Sequence, residues 1–110
     1  MNKVALVTGA SRGIGRAIAI ALAEYDFSVA CFARNKAKLD ETVALIEATG
    51  GKASVHTGDV SNDDDLQKLI DEVSALHGGI DVLVNNAGIT EGAAAKNISP
   101  DRFREVLNVN

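Results

Sequence analysis

Cysteine, proline and aromatic residues are scarce in this sequence. Its 110 residues include one cysteine, one proline, one tyrosine, three phenylalanines and no tryptophan. A single cysteine, Cys31, excludes an internal disulfide framework and a zinc site built on cysteines. With 46% hydrophobic and 24% charged residues, the composition is typical of a folded protein rather than a disordered linker. We therefore predict one domain over residues 1–110.

An excess of positive charge and long apolar runs are also absent. Eleven Lys and Arg residues stand against 15 Asp and Glu residues, which gives a formal net charge of −4. Because phosphate contacts need a basic surface, we expect no general nucleic-acid binding. No apolar run approaches the ~18 residues of a membrane span, and the N-terminus carries no signal-peptide pattern. We expect a cytoplasmic protein without a membrane segment or a metal site.

Two kinds of hydrophobic pattern alternate along the chain, one typical of buried strands and one typical of helices. Near-continuous apolar runs are typical of strands buried on both faces of a parallel sheet, and they occur at residues 3–8, 28–33, 53–57 and 80–84. Apolar residues at helical spacing follow each run. The predicted helices cover residues 13–25, a segment ending at Gly50, a segment from a Ser61 or Asn62 cap to Gly78, and a segment from Ser99 onward. A loop is predicted over residues 85–98.

This alternation predicts an α/β fold of the Rossmann type. Right-handed crossovers place the four strands of a doubly wound parallel sheet in the order 3-2-1-4. The fourth strand would then be an exposed, apolar edge of the sheet.

A glycine-rich loop joins the first strand to the first helix. Residues 8–15 read Thr-Gly-Ala-Ser-Arg-Gly-Ile-Gly. Backbone N–H groups and the dipole at a helix N-terminus favour an anion, and glycine lets a phosphate approach the backbone closely. The spacing is neither the usual Gly-x-Gly-x-x-Gly fingerprint nor a P-loop. The alternative is that the glycines only shape the turn, but the strand before them and the helix after them favour phosphate binding.

Three motifs together resemble the short-chain dehydrogenase/reductase family. They are Thr8-Gly9-x-x-x-Gly13-x-Gly15, Asp59 after the third strand, and Asn85-Asn86-Ala87-Gly88 after the fourth strand. All three lie at the carboxyl ends of predicted strands, where sheets of this type bind ligands. The resemblance covers all 110 residues. It implies hydride transfer between a nicotinamide cofactor and a small-molecule alcohol or carbonyl substrate.

The end of the second strand bears on the choice of cofactor. Sheets that bind NAD usually carry an acidic residue there for the ribose 2′-hydroxyl, whereas this chain has Ala33 followed by Arg34. A guanidinium at this place can pair with a 2′-phosphate, and Arg12 in the glycine loop offers a second one. The resemblance implies the same, because both arginines match positions of NADP-preferring members. We expect NADP(H); the alternative is that both arginines are solvated surface residues.

The resemblance extends the predicted cofactor site beyond the glycine loop. It implies that the Asp59 side chain meets the adenine edge with Val60 beside the ring, and that residues 86–88 line the cofactor channel. Turn formation is the alternative role for Asp59 and for the asparagines. The residues predicted to bind the cofactor are Gly9, Ser11, Arg12, Gly13, Ile14, Gly15, Arg34, Asp59, Val60, Asn86, Ala87 and Gly88.

Most catalytic residues of the family have no match in the chain. The resemblance implies a Tyr, a Lys four residues later, a Ser and an Asn, of which only the Asn is matched, by Asn110, to hold a water in the proton relay. Tyr25, the one tyrosine, has no such lysine and falls on the predicted buried face of the first helix. We expect His56 and His77 to be surface or cap residues and Cys31 to be a buried core residue.

The sequence therefore predicts the N-terminal, cofactor-binding portion of an NADP(H)-dependent short-chain dehydrogenase/reductase. We expect this portion to be inactive alone and the intact parent to be a homo-oligomeric enzyme. The opening residues are similar to those of 3-oxoacyl-[acyl-carrier-protein] reductases, although residues 90–96 differ from the stretch expected there. A non-catalytic dinucleotide-binding module is the alternative. A methyltransferase is disfavoured, because it usually needs an acidic residue where Ala33-Arg34 stands.

Overall fold

Strands and helices alternate along the first 85 residues. The computed structural model describes residues 3–85 and, by their backbone, residues 88–91. The strands are β1 (Val4–Thr8), β2 (Ser28–Ala33), β3 (Lys52–Thr57), β4 (Val82–Asn85) and β5 (Gly88–Glu91). The helices are α1 (Gly13–Glu24), α2 (Lys36–Ala48) and α3 (Asp63–His77). The predicted fourth helix falls outside the described residues.

The strands form one sheet in the order β3-β2-β1-β4-β5. The first four strands pair in parallel, with Leu6 of β1 opposite both Ala30 of β2 and Leu83 of β4. On the outer side of β2, Cys31 lies opposite Val55. The predicted order 3-2-1-4 and the doubly wound α/β class are confirmed.

The antiparallel strand β5 corrects the prediction of an exposed edge at β4 and, at residues 88–91, the prediction of a loop over residues 85–98. Val84 of β4 lies opposite Ile89 of β5, and Asn85 lies opposite Gly88. An unpaired edge leaves backbone N–H and C=O groups without partners, and β-branched residues such as Ile89 and Thr90 favour strand geometry. The pairing therefore extends the sheet by one strand immediately after β4.

Helices pack against both faces of the sheet and enclose two separate apolar clusters. One face carries Val4, Leu6, Ala30 and Phe32 against the α3 residues Leu66, Leu69 and Val73. The other face carries Val7, Val29 and Cys31 against the α1 residues Ala19 and Ala23 and the α2 residues Leu39, Val43 and Ile46. Because successive strand residues alternate between two covered faces, the central strands have continuous apolar sequences. Burial raises the pKa of the Cys31 thiol to about 12, so this side chain is a neutral core residue as predicted.

Tyr25, which was assigned to the buried face of the first helix, is one of three large apolar side chains that are exposed at helix ends. Ile14 is 73% exposed, Tyr25 is 79% exposed and Leu76 is 65% exposed. Ile14 and Leu76 lie in the terminal turns of α1 and α3, and Tyr25 is the C-cap of α1. The buried residues of α1 are Gly15, Ala19 and Ala23, so the small residues of this helix, and not its larger apolar ones, face the sheet.

Side chains cap two of the helices at their N-termini. Asn62 caps α3, because its side-chain oxygen accepts a hydrogen bond from the N–H of Asp65 at 3.0 Å. Asn35 does the same for α2 by accepting from the N–H of Lys38. Gly78 ends α3 in the left-handed conformation, with φ 82°. Among the described residues, no helix has the length and hydropathy of a membrane-crossing segment.

Candidate cofactor site

A cleft of about 790 Å³ opens where β1 and β2 end. All the glycine-loop residues predicted to bind a cofactor line it, and so does Arg34. The lining residues are Gly9, Ser11, Arg12, Gly13, Ile14, Gly15, Arg34, Asn35 and Lys38. The fold therefore brings together the glycine loop, which was predicted to bind phosphate, and Arg34, which was predicted to pair with a 2′-phosphate.

The glycine loop adopts a conformation that side chains would obstruct. Gly9 and Gly13 have left-handed φ values of 63° and 58°, a region that glycine occupies without steric cost. A Cβ atom at Gly15 would overlap the backbone carbonyl oxygen of Gly9. The loop is thus folded tightly against the start of α1, which explains the spacing of these glycines.

The N-terminus of α1 is open to an anion. Arg12, the N-cap residue, is extended and its side chain makes no capping hydrogen bond, and the first turn of α1 contains no acidic residue. The first N–H groups of a helix have no intrahelical acceptor and lie at the positive end of its dipole. A phosphate group is a suitable acceptor for these groups.

Two side chains, one from α1 and one from α2, bind carbonyl groups of the loop. Thr42 Oγ1 donates to the carbonyl oxygen of Ala10 at 2.8 Å, and Arg16 Nη2 donates to the carbonyl oxygen of Ser11 at 2.7 Å. Arg16 Nε also donates to Thr42 Oγ1 at 2.9 Å. Arg16 and Thr42 were not predicted as site residues, because helical spacing gives no indication of which polar side chains form contacts between two helices.

The far side of the cleft is basic. Arg34 follows β2, and Lys38 lies in the first turn of α2, with its Nζ atom 3.8 Å from Glu41 Oε2. None of the described residues that line the cleft is acidic, although the chain carries a net charge of −4. Asn35 and Lys38 were not predicted as site residues; their places directly after Arg34 and four residues after it were the available signal.

Asp59 lies beside Arg34 at the edge of the cleft, with Asp59 Oδ2 3.2 Å from Arg34 Nη2. Its Oδ1 atom accepts hydrogen bonds from the N–H and the Oγ of Ser61, at 2.9 and 2.8 Å. These bonds from Ser61, with the charge of Arg34 as a weaker contribution, hold the pKa of Asp59 below its usual value. The turn role of Asp59 is therefore confirmed, while its adenine contact and that of the exposed Val60 stay predictions.

The remaining predicted site residues cannot be placed around the cleft. Asn86, Ala87 and Asn110 lie outside the described residues, and Gly88 is described only by its backbone in β5. The channel role of residues 86–88 and the water-holding role of Asn110 therefore stay predictions.

A second polar cluster lies between β3 and α3, away from the cleft lining. His56 is only 2% exposed, which corrects its assignment to the surface. Its Nδ1 atom lies 2.7 Å from Glu72 Oε1, and its Nε2 atom lies 2.7 Å from Ser54 Oγ. Ser54 Oγ is also 3.0 Å from His77 Nε2. These contacts satisfy the buried imidazole, and no group of three side chains suited to a metal ion occurs among the described residues.

Comparison with known proteins gives one consistent family. The sequence model of the short chain dehydrogenases matches residues 3–110. The chain is 42% identical over 111 residues to the 3-oxoacyl-[acyl-carrier-protein] reductase FabG of Staphylococcus epidermidis, covering 100% of this chain and 46% of that protein.

Two solved structures are similar in fold and sequence. A metagenomic short-chain oxidoreductase in complex with NADP has a TM-score of 0.74 and 42% identity, covering 93% of this chain and 47% of that one. A variant of the actinorhodin polyketide ketoreductase with NADPH has a TM-score of 0.75 and 35% identity, covering 96% of this chain and 40% of that one. The chain thus spans less than half the length of these three relatives.

Proposed function

The chain belongs to the short-chain dehydrogenase family, and we propose that it forms the NADP(H)-binding part of an oxidoreductase acting on a small alcohol or carbonyl compound. The observation that carries this proposal is the cleft. It combines an uncapped helix N-terminus behind a glycine loop with a basic side formed by Arg34 and Lys38.

The residues of the cleft fit a dinucleotide with a third phosphate. The N–H groups at the start of α1 would hold the pyrophosphate, which can approach the backbone because the loop positions facing it are small. Arg34 would pair with the 2′-phosphate, with Lys38 and Arg12 adding positive charge. When bound, the nicotinamide supplies or accepts the hydride. The two similar structures that hold NADP or NADPH support this choice of cofactor.

The exposed position of Arg34 is consistent with a role in ligand selection. Its side chain is 79% exposed and its partner Asp59 is bound independently by Ser61. An exposed ion pair of this kind contributes little to stability. Arg34 can therefore leave Asp59 for a 2′-phosphate at small cost, whereas the neutral 2′-hydroxyl of NAD(H) offers it no charge.

Titration calorimetry with NADPH and NADH tests this proposal on the wild-type chain, Arg34→Ala and the control Lys68→Ala. Arg34→Ala removes charged hydrogen bonds to the 2′-phosphate that are worth about 1.5–3 kcal/mol. We therefore expect it to weaken NADPH binding roughly 10- to 100-fold and to leave NADH binding nearly unchanged. Lys68, on α3, pairs with Glu72 far from the cleft lining, so Lys68→Ala binds both nucleotides like wild type. An unchanged ratio of NADPH to NADH affinity in Arg34→Ala would contradict the assignment.

Reduction of a carbonyl also needs a proton donor, which the family resemblance implies is a tyrosine, and none of the described residues that line the cleft is a tyrosine. Tyr25 follows the last residue of α1, whereas the cleft is at the first. A rise of about 1.5 Å per residue separates them by roughly 18 Å. We propose that the 110 residues bind the nucleotide without turning it over, and NADPH oxidation by the purified chain with carbonyl substrates would contradict this.

The identity to a 3-oxoacyl-[acyl-carrier-protein] reductase supports a similar substrate for the intact parent. We propose an acyl-type carbonyl as the first substrate class to assay there, and a cytoplasmic homo-oligomer as the form to isolate. If the parent reduces simple ketones but no 3-oxoacyl thioester, the substrate class is wrong and the cofactor assignment stands.

A further inference from the structure

Two consecutive carbonyl groups of the glycine loop are bound by side chains behind the loop. The carbonyl of Ala10 accepts from Thr42, and the carbonyl of Ser11 accepts from Arg16. In a trans peptide the C=O and the following N–H point in opposite directions. Binding these two carbonyls therefore turns the N–H groups of Ser11 and Arg12 to the opposite side, and both residues line the cleft.

The two donors act as one unit. A threonine hydroxyl has a single proton and can also accept. Because Arg16 Nε donates to Thr42 Oγ1 at 2.9 Å, the hydroxyl proton is directed to a carbonyl, and the nearest is that of Ala10 at 2.8 Å. The other candidate acceptor, the carbonyl of Lys38, is farther from Thr42 Oγ1 at 3.3 Å.

The same unit connects the two halves of the cleft. Arg16 Nη2 donates both to the carbonyl of Ser11, at 2.7 Å, and to the carbonyl of Lys38, at 3.0 Å. Ser11 lines the glycine-loop side, and Lys38 lines the basic side. Since one guanidinium binds both backbones, it fixes the start of α2 relative to the loop.

We propose that Arg16 and Thr42 are positioning residues for nucleotide binding, which orient the loop N–H groups that hold the pyrophosphate. This inference rests on the proposed function. A loop already ordered in its binding conformation loses less entropy when the ligand arrives, so the free protein has the higher affinity. Arg16 and Thr42 achieve this without touching the nucleotide themselves.

The position of Thr42 shows why a hydroxyl, and not merely a well-packed side chain, is needed. Thr42 is 0% exposed, on the α2 face that also buries Leu39, Val43 and Ile46. Valine has nearly the same shape and would fill this place, but it would leave the Ala10 carbonyl and Arg16 Nε without their partner. Serine keeps the hydroxyl and loses only a methyl group.

The test measures NADPH and NADH affinity and the exchange of loop amides in Thr42→Val, Thr42→Ser and Arg16→Lys. Thr42→Val and Arg16→Lys should weaken both nucleotides by the same factor, roughly tenfold, because the pyrophosphate is common to both; lysine cannot reproduce the forked guanidinium. Thr42→Ser should stay within about threefold of wild type. In the ligand-free protein, the Ser11 and Arg12 amides should exchange faster in Thr42→Val than in Thr42→Ser.

Glu41→Gln is the matched control for NADH binding, since it removes the ion pairs of Glu41 with Arg16 at 3.4 Å and with Lys38 at 3.8 Å and leaves both loop carbonyls bound. It should bind NADH, which has no 2′-phosphate, like wild type. Affinities are corrected for the fraction of folded protein, so that a loss of stability alone does not appear as a loss of affinity. If Thr42→Val does not fold, Arg16→Lys provides the test. If wild type binds NADPH and neither Thr42→Val nor Arg16→Lys weakens it, this inference is wrong and the proposed function stands. If folded wild type binds no NADPH, the proposed function itself is wrong.

Discussion

Gly15 is the residue of the loop with the least space for change. A Cβ atom there would overlap the Gly9 carbonyl oxygen and approach Ala10 Cα to 3.3 Å. Both neighbours are backbone, so the loop must move. We predict that Gly15→Ala lowers the free energy of unfolding by more than about 1 kcal/mol and weakens NADPH binding by at least roughly tenfold, measured by urea denaturation and calorimetry.

Gly50 provides the comparison for this substitution. It has a left-handed φ of 84° and open space around its Cα, at the end of α2 far from the glycine loop. Gly50→Ala should cost about 1 kcal/mol through its backbone conformation and leave the NADPH affinity of the folded protein intact. Equal nucleotide affinity in Gly15→Ala and Gly50→Ala would show that loop shape does not matter for binding.

His77 gives the fold a dependence on pH. Partial burial, and then the nearby His56, lower the pKa of His77 below 6.5. As the pH falls, His77 is therefore protonated in the unfolded chain before it is protonated in the folded chain. The contribution of neutral His77 to the free energy of unfolding is complete above pH 6.5 and declines below it. We predict that the free energy of unfolding falls between pH 7 and pH 5, and that His77→Gln makes this fall shallower. Identical pH profiles of wild type and His77→Gln in urea denaturation would contradict the assignment.

The residues of the site differ in how far sequence could predict them. The glycine loop and Arg34 are recognisable because local spacing fixes their place after a strand. Arg16 and Thr42 form a hydrogen bond although they are 26 residues apart in the sequence. Outside the cleft, His56 likewise contacts Glu72, which is 16 residues away. Such partners depend on how helices and strands pack, so hydrophobic spacing along one sequence cannot identify them.

Among the elements, α3 has the clearest local signals at both ends. Asn62 caps its N-terminus, three aspartates follow in the first turn, and Gly78 ends it. We predict that Asn62→Ala lowers the free energy of unfolding by about 1 kcal/mol, because the N–H of Asp65 loses its acceptor. Asn62→Asp keeps an acceptor and should stay near wild type in urea denaturation. An Asn62→Ala midpoint equal to that of Asn62→Asp would mean that the cap contributes nothing.

Strands and helices were predicted closely where burial is continuous, and less well at their ends. The strands from Val4 to Thr8 and from Ser28 to Ala33 match their apolar runs within one residue, since both faces of the sheet are covered. Strand β5 was not predicted because it forms by pairing with the edge of β4. The local sequence pattern of residues 88–91 does not indicate this pairing. Tyr25 was assigned to the buried face of the first helix because the helical spacing continues to it, but it is the exposed C-cap residue of α1.

At the scale of the whole molecule, the parallel sheet determines where the ligand site is. The carboxyl ends of β1 and β2 meet at one edge of the sheet, and the cleft opens there. The net charge of −4 predicted no polyanion binding, yet the fold collects Arg12, Arg34 and Lys38 around one opening. Net charge describes the surface as a whole, whereas recognition of one phosphorylated nucleotide depends on this local arrangement.

The central claim is that this cleft selects the dinucleotide that carries a 2′-phosphate. The most direct test is two-dimensional NMR of the backbone amides during titration with NADPH and, separately, with NADH. NADPH should shift the amides of residues 9–15 and of residues 34–38. NADH, which shares the pyrophosphate, should shift residues 9–15 and move residues 34–38 far less. NADPH shifts that are absent, that cluster elsewhere, or that NADH reproduces at residues 34–38 would contradict the account.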